Sequence, residues 1–330
     1  MIRPVPSPTP ESEAPVSETV RVDHLLSAYR GTGTAVRAAR RLRFAGVDGR
    51  DVYNVSAPFR APDGAVVLAG RVEDRADERS ETVLFARDDA GTWCPVPGAA
   101  RPALQDPFVF GHAGVPHLGG VEVVEAVGPD GDPTLRYRTV VLRLADLARP
   151  EPAFTGPWGM KDLRFADLPD GRLAVLTRPQ GGPDGRGRIG LAVVDSLAAL
   201  TIADIEEAPR LERLFRPDEW GGVNQAVVLP DGTLGLLGHV ARFDTAGDRH
   251  YYPMAFRLDP ATLWYTAPEL LFERRDLPPG PAKRPDLADV VFPGALVPAP
   301  GGVTAYCGVG DAEAYEVDLP APFLVAPGEG

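Results

Sequence analysis

GPWGMKDLRFADLPDGRLAVLTRPQ, residues 156–180, carries the pattern that decides the fold of this chain. From Leu163 onward it predicts two short strands joined by the turn LPDGR, because short apolar runs flank an Asp-Gly pair. Lys161 and Asp162 stand before the first strand, and Arg178 stands at the end of the second. These charged residues are either ordinary surface residues or residues at the edge of a functional site.

The same unit occurs five times along the chain. In each unit, a short strand with a polar residue near its start is followed by a Gly/Asp turn and by an apolar strand that ends in a polar cluster. A further β-rich segment follows every unit. The five units are VYNVSAPFRAPDGAVVLAGRVE (52–73), LQDPFVFGHAGVPHLGGVE (104–122), the stretch quoted above, GGVNQAVVLPDGTLGLLGHVARF (221–243) and DVVFPGALVPAPGGVTAYCGVGDAE (289–313).

The spacing of these units predicts a five-bladed β-propeller. Asn54, Asp106, Asp162 and Asn224 are equivalent positions of the first four units, and Asp289 is the expected position in the fifth. They recur about every 50–60 residues, which is the spacing of multi-strand propeller blades. A doubly wound α/β fold is disfavoured, because no long segment of helical period separates the strands. The predicted fold class is therefore all-β.

The N-terminal region is predicted to close the ring. The fifth unit is one strand short, and residues 36–46 can supply that strand by pairing as the outer strand of the last blade, which removes a free sheet edge. Residues 23–33 predict a short helix before it. Residues 1–22 are rich in Pro, Ser and Glu and predict a disordered leader. The domain prediction is thus a leader at 1–22 and a single propeller domain at 23–330.

The composition excludes several classes of protein. The chain has 330 residues, of which 44% are hydrophobic, and a formal net charge of −12. That charge argues against a nucleic-acid partner, which requires a concentrated basic surface. No apolar run reaches the length of a membrane span, and no signal peptide is recognised, so the cytoplasm is the expected location. Two cysteines make neither a disulfide framework nor a zinc site, and no cluster has the spacing of metal ligands.

Polar residues mark the start of each first strand and the end of each second strand. The innermost strands of a propeller line a central channel, so these residues meet despite their separation in sequence. Acidic groups set among Arg, Lys, His, Asn and Gln suit a polyhydroxylated or anionic ligand. The alternative is that they are turn and edge charges that keep a β protein soluble. The candidates are Asn54, Gln105, Asp106, Lys161, Asp162, Arg164, Asn224 and Gln225 on first strands, and Arg71, Glu73, Glu122, Arg178, Gln180, His239, Arg242, Asp311 and Glu313 on second strands.

Several motifs together resemble a bacterial family of unknown function that is grouped with five-bladed β-propeller glycosidases and mannoside phosphorylases. The likeness covers residues 40–323. The motifs are YNVSAPF, GRVE, LQDPF, GGVE, GMKDLRF, TRPQGG, LGHVARFD, RHYYPMAF, GPAKRPDL and GVGDAEA. The resemblance implies the propeller fold and a glycosidase-like activity.

The resemblance also assigns roles to three equivalent positions. Related glycosidases place an acidic residue on the first strand of each of the first three blades. Here the second position is Asp106, in Gln105-Asp106-Pro107, and the third is Asp162, but the first is Asn54. An amide cannot act as base or nucleophile, whereas hydrolysis requires a carboxylate that activates water or attacks carbon. A phosphorylase needs no such base, because phosphate is already a charged nucleophile.

These implications give two hypotheses of function. The first is a glycoside phosphorylase or hydrolase acting on a short oligosaccharide in the axial pocket, with inorganic phosphate as a possible co-substrate and with no other cofactor and no metal. The second is a non-catalytic propeller that binds a sugar or metabolite. The expected catalytic residues are Asp106, Asp162 and, as substitutes for the absent base, Glu73 and Glu122. The expected substrate-binding residues are Asn54, Arg71, Gln105, Lys161, Arg178, Asn224, His239, Lys283, Arg284 and Asp311.

Overall fold

The computed structural model describes residues 21–128 and 131–322 of the chain. Most of the predicted leader, residues 1–20, lies outside the described residues. The helix predicted at 23–33 is confirmed as α1, Val22–Thr32, and the strand predicted at 36–46 is present as the shorter β1, Ala38–Arg41. No helix within the described ranges has both the length and the apolarity needed to cross a membrane.

Antiparallel strands make up almost all of the remaining regular structure. Group 1 contains β2 (Asp51–Tyr53), β3 (Phe59–Arg60), β4 (Val66–Glu73), β5 (Ser80–Arg87) and β6 (Trp93–Pro95). Group 2 contains β7 (Gln105–His112), β8 (Val115–Val127), β9 (Pro133–Arg143) and β10 (Glu151–Thr155). Group 3 contains β11 (Arg164–Asp167), β12 (Leu173–Thr177) and β13 (Gly190–Val194).

Helix α2 (Ile202–Glu206) separates these strands from the last two groups. Group 4 contains β14 (Glu219–Val228), β15 (Leu234–Phe243), β16 (Arg249–Leu258) and β17 (Glu269–Leu270). Group 5 contains β18 (Asp289–Ala299), β19 (Gly302–Val309) and β20 (Glu313–Leu319), together with β1. Short 3-10 helices lie at Gly182–Asp184, Arg274–Asp276 and Pro285–Leu287.

Strand β1 joins the N-terminal region to the last group, as predicted. It pairs antiparallel with β20, from Ala38 opposite Asp318 to Arg41 opposite Tyr315. Groups 4 and 5 form one continuous sheet, because β16 and β18 share a short parallel ladder. Residues 21–128 and 131–322 thus form four sheets, of which the largest holds two groups.

The hydrophobic core explains how α1 is held. Val22, Leu25, Leu26 and Tyr29 recur at helical spacing, and all four are buried in the core cluster shared with groups 3, 4 and 5. Fully burying such a side chain contributes about 1.5–3 kcal/mol. The backbone N–H of Val22 donates to Glu219 Oε1 at 2.6 Å, which satisfies one free donor of the first helical turn.

A local irregularity interrupts the first strand of every group and places the candidate residues. Asn54, Asp106 and Asp162 have φ of 46°, 49° and 63°, in the left-handed region that Asn and Asp tolerate better than most residues. In groups 4 and 5 the register shifts, between Val223 and Gln225 and between Pro293 and Ala295, and in group 2 it also shifts, between Gln105 and Phe108. Each interruption takes one side chain out of the regular alternation of strand side chains between the two faces of the sheet.

The fifth equivalent position is Gly294, so the prediction of Asp289 is wrong. Gly294 stands at the register shift of β18, as Asn224 does in β14. A Cβ atom on Gly294 would lie 1.8 Å from the Val55 carbonyl oxygen, so no side chain fits there. Asp289 lies at the start of β18 and binds His250 and Tyr252, whose nearest atoms are 2.6 Å and 2.8 Å from Asp289 Oδ2.

Candidate active site

The first strands of all five groups converge on one cavity, as expected for residues that line a common channel. This cavity, which we call the lower channel, has a volume of 440 Å³. Its lining comes from residues 56–57, 108–111, 164–167, 224–228 and 294–295. The five equivalent positions lie in or directly beside these segments, so distant parts of the sequence meet here.

Arg164 separates the lower channel from the carboxylates beyond it. Its Nε donates to the Asn224 carbonyl oxygen at 2.7 Å, and its Nη1 donates to the Leu163 carbonyl oxygen at 2.9 Å. Its Cζ also lies 4.0 Å from the centre of the Phe108 ring. Burial lowers the pKa of Arg164 to about 10. The residue remains charged at neutral pH, and its guanidinium group lies across the channel.

Asp106 is held by cations and by an amide donor. Asn54 Nδ2 donates to Asp106 Oδ1 at 2.7 Å, and Arg71 Nη1 donates to the same oxygen at 3.0 Å. Lys161 Nζ lies 4.0 Å from Asp106 Oδ2. Burial opposes ionisation of this carboxyl, but Arg71 and Lys161 outweigh it and lower its pKa to about 2. Asp106 is therefore a permanent carboxylate at neutral pH.

Glu73 is bonded on all sides and is not a free base. Arg71 Nη2 and Tyr53 Oη donate to its two carboxylate oxygens at 2.5 Å and 2.7 Å. Ser80 Oγ and Lys283 Nζ donate to it as well. The side chain is 1% exposed, so both oxygens are consumed inside the protein. The predicted role of Glu73 as a substitute base is not supported by this arrangement.

Asp162 and Arg178 form a buried ion pair with unsatisfied atoms. Arg178 Nη1 lies 3.4 Å from Asp162 Oδ2, and the two side chains are 4% and 2% exposed. Burial opposes the charge of Asp162, but Lys161 and Arg178 hold its pKa below the usual value. Asp162 Oδ1 and Arg178 Nη1 have no hydrogen-bond partner among the described residues.

Two glycines and two carbonyl groups fix the Arg178 guanidinium. Its Nε donates to the Gly221 carbonyl oxygen at 2.8 Å, and its Nη2 donates to the Arg186 carbonyl oxygen at 3.2 Å. A Cβ atom on Gly187 would lie 2.8 Å from Arg178 Cζ, and one on Gly222 would lie 2.7 Å from Arg178 Cδ. The local sequence therefore leaves space for this guanidinium and aims Nη1 towards Asp162.

His239 is a neutral, structural neighbour of the same cluster. Its Nδ1 is hydrogen-bonded to Asn224 Oδ1 at 2.8 Å, and its ring stacks with Tyr251 at 5.4 Å between centroids. Burial, reinforced by Arg178, lowers the pKa of His239 to about 3. The ring is therefore uncharged at neutral pH and adds no positive charge to this cluster.

An open cleft with four cationic side chains adjoins the Asp162–Arg178 pair. This cationic cleft has a volume of 540 Å³. Lys161, Arg178, Arg186 and Arg249 line it, and among the described residues no carboxylate does. The other lining residues are Tyr137, Gly159, Gln180, Gly181, Gly185, Trp220, Phe243 and Tyr251. A concave surface of this charge and size suits a phosphate group next to a sugar.

Asp311 approaches the carboxylate cluster from group 5. It occupies the turn between β19 and β20 with φ of 51°. The side chain is partly accessible to solvent, although the group lies deep in the protein. Burial raises the pKa of Asp311 to about 6, against the opposing charge of Arg71.

Several predicted residues lie apart from this centre. Glu122 accepts a hydrogen bond from Arg138 Nε at 2.6 Å on its own hairpin, and among the described residues it bonds to no member of the carboxylate cluster. Gln105 Nε2 donates to the Glu78 carbonyl oxygen at 3.2 Å. Arg284, which is 45% exposed, pairs with Glu78 and Asp286 on the rim. Glu122 therefore does not supply the missing base.

Sequence reasoning missed Arg186 and Arg249 in the cationic cleft. Arg186 belongs to GGPDGRGRIG, a loop outside the repeated units, and Arg249 is the first residue of β16. Both guanidinium groups lie over the Phe243 ring, at 4.6 Å and 5.6 Å from its centroid. In the sequence, only the aromatic residues near these two arginines indicate a binding surface.

Three solved structures are similar to this chain. MPT-4, a mannose phosphorylase from Leishmania mexicana in complex with phosphate ion, is 31% identical with a TM-score of 0.82, covering 91% of this chain and 93% of its own. MPT-1, a GDP-Man-dependent mannosyltransferase from Leishmania mexicana, is 28% identical with a TM-score of 0.81, covering 92% and 94%. A β-1,2-mannobiose phosphorylase from Listeria innocua is 15% identical with a TM-score of 0.57, covering 86% and 91%, and shares the fold alone.

Sequence comparisons define the family. No curated protein matches the chain. The model of one family, described as protein of unknown function (DUF1861), matches residues 28–325. This range agrees with the resemblance predicted over residues 40–323. The chain therefore belongs to the DUF1861 family of proteins of unknown function.

Proposed function

We propose that this protein is a glycoside phosphorylase that cleaves a short mannoside with inorganic phosphate. The observation that carries the proposal is the cationic cleft, which four cationic side chains line, Arg178 of the buried Asp162–Arg178 pair among them, and which no carboxylate of the described residues lines. The similarity to a mannose phosphorylase solved with a phosphate ion supports the same assignment. A short carbohydrate is then the expected partner.

The chemistry follows from the charges of the centre. Phosphate in the cleft meets the side chains of Arg178 and Lys161, which line it, while Arg178 Nη1 stays paired with Asp162. The sugar lies over Asn54, Asp106 and Arg71. Because Asp106 stays ionised, it stabilises positive charge that develops on the sugar ring instead of donating a proton.

Hydrolysis is less well supported, because the side chains that would replace the absent base are already bonded. Glu73 is enclosed by four donors, and Glu122 is paired with Arg138. A second candidate is mannosyl transfer from a sugar nucleotide, supported by the similarity to a GDP-Man-dependent mannosyltransferase. The non-catalytic sugar-binding propeller predicts the same contacts without turnover.

The proposal includes an architecture. The five strand groups are the blades of one propeller, and the β1–β20 pairing closes its ring. The domain extends over residues 23–330 and works in the cytoplasm with phosphate as co-substrate and no other cofactor. The support is that all five first strands line one cavity.

Steady-state assays test this function. Purified protein is incubated with β-linked mannobioses at varied phosphate concentrations, and mannose 1-phosphate is measured. We expect phosphate-dependent turnover, and we expect Arg178→Lys to raise the KM for phosphate at least about 10-fold, because lysine lacks the forked donors. Arg172→Lys, at an exposed residue of the same strand group, is the matched control. Free mannose produced without phosphate contradicts phosphorolysis, and turnover with GDP-mannose alone favours the transferase.

A further inference from the structure

Arg164 is a buried cation without a direct counter-ion in the described part of the chain. The residue is 4% exposed, yet no carboxylate oxygen of the described residues lies within 4.0 Å of its guanidinium nitrogens. Asp162 and Asp106 act on it only over longer distances. Buried arginines are almost always paired, because it is costly to remove their charge from water. The anion that normally accompanies such a cation is therefore missing here.

One nitrogen of the Arg164 guanidinium is free. Nε and Nη1 donate to backbone carbonyl oxygens, whereas Nη2 has no hydrogen bond within residues 21–128 and 131–322. Nη2 is also not among the fully buried atoms that lack a partner, so it reaches accessible space. Arg164 lines the lower channel and does not line the cationic cleft. The free nitrogen is therefore a donor for a ligand in the lower channel.

Most residues that line the lower channel are apolar. Phe108, Phe110 and Phe165 belong to the lining, and the ring centroids of Phe110 and Phe165 are 4.7 Å apart in a stacked arrangement. Alanines and valines of the other segments add to this surface. Among the described residues, Asp167 is the one carboxylate of the lining, and it stands at the end of β11 opposite to Arg164. The cation therefore has an apolar cavity in front of it.

From these features we infer that the lower channel binds a small monocarboxylate with an apolar body. The carboxylate accepts a hydrogen bond from Arg164 Nη2, and the apolar body lies against the phenylalanine side of the cavity. One cation with one free nitrogen suits a single negative charge better than a phosphate dianion, which needs several charged donors. The volume of 440 Å³ is in the range of small-molecule sites, about 300–1,000 Å³. This site goes beyond the proposed function, in which phosphate binds in the cationic cleft.

Calorimetric titration at neutral pH tests the inference with two acids, benzoate and 4-methylpentanoate, in the presence of saturating phosphate. We expect at least one of them to bind the wild-type protein with one site per chain. The uncharged amide of the same acid should bind about 10-fold or more weakly, because it cannot form a charge-assisted hydrogen bond. Arg164→Met, which removes the cation, should weaken binding of the acid by a similar factor. Arg186→Met removes a guanidinium group from the cationic cleft, and as the matched control it should leave the affinity unchanged.

Three results would overturn the site: no binding of either acid, equal affinity for the acid and its amide, or displacement of the acid by phosphate. If Arg164→Met does not fold, a crystal of the wild-type protein soaked with 4-bromobenzoate decides the question. Anomalous scattering from bromine in the lower channel, with the carboxylate at Arg164, supports the inference, and bromine found elsewhere or not at all overturns it. These experiments measure binding and not turnover, so a failure of the proposed phosphorolysis would leave their outcome unaffected.

Discussion

Asn54 Nδ2 donates to Asp106 Oδ1 at 2.7 Å, joining two left-handed residues that are 52 positions apart in sequence and belong to neighbouring strand groups. The contact puts an amide where related glycosidases place a carboxylate. The amide donates a hydrogen bond to Asp106 and so helps to keep this carboxyl group ionised. The first equivalent position thus supports an existing charge and does not perform base catalysis.

Asn54→Asp should therefore impair the protein instead of converting it into a hydrolase. Two buried carboxylates in contact cannot both ionise easily, so one pKa rises and the folded state is destabilised. We expect a lower melting temperature and a loss of about 10-fold or more in kcat/KM. Thermal unfolding and the mannobiose assay measure these effects, with Asp51→Asn on the same strand as control. Phosphate-independent hydrolysis by Asn54→Asp would contradict this assignment.

Gly222→Ala should weaken phosphate binding without changing the fold. The new methyl group would lie 2.7 Å from Arg178 Cδ, so this side chain has to shift. We expect the KM for phosphate to rise about 10-fold while the circular dichroism spectrum stays the same. Gly31→Ala is the control, because no atom lies within 4 Å of its added Cβ. An unchanged KM for phosphate in Gly222→Ala would remove Arg178 from the phosphate site.

Lys283→Met should reduce stability and leave phosphate affinity unchanged. The Lys283 ammonium group binds Glu73 and lies 3.2 Å from Glu78, and its side chain is 5% exposed. Removing one partner of a buried pair costs about 3–5 kcal/mol. Urea unfolding checks this loss, and the KM for phosphate checks the site. A stable Lys283→Met protein with a strongly raised KM for phosphate would contradict this structural role and would favour the prediction that Lys283 binds substrate.

His239 should make stability fall as the pH is lowered. Its pKa is about 3 in the folded protein and about 6.5 when unfolded, so the unfolded chain binds an additional proton between these values. Stability is therefore complete above about pH 6.5 and is lost progressively towards pH 3. Asp311 gives the opposite slope between about pH 4 and 6, because its pKa is raised.

The effect of His239 on stability is therefore measured in the Asp311→Asn variant, which removes the opposing contribution. In that variant, His239→Gln should reduce the loss of unfolding free energy as the pH is lowered. The free energy of unfolding is measured by urea titration between about pH 4.5 and 6.5. If replacing His239 does not change how the free energy of unfolding depends on pH, the ring is protonated in the folded state.

The recurrence of polar residues at equivalent positions of the repeated units predicted much of this centre. Asn54, Asp106 and Asp162 share a backbone conformation, and the left-handed or bulged residue in each of the first four units is visible as Asn or Asp. The error at Asp289 has a physical cause. A glycine replaces the polar residue in the fifth unit, because the Val55 carbonyl group occupies the space of a side chain.

Partners remote in sequence could not be predicted. Lys283 is predicted to bind substrate, but its ammonium group donates to Glu73, 210 residues away in sequence. Arg186 lies outside the repeated units and joins the cleft only through folding. The charge states of His239 and Asp311 follow from burial, which the local sequence of each residue does not reveal.

A crystal structure of the wild-type protein soaked with phosphate tests the central claim most directly. We expect an anion in the cationic cleft, within hydrogen-bond distance of the Arg178 guanidinium group and of Lys161 Nζ. An anion bound instead at Lys283 and Arg284, or a cleft that binds none at saturating phosphate, would contradict the account.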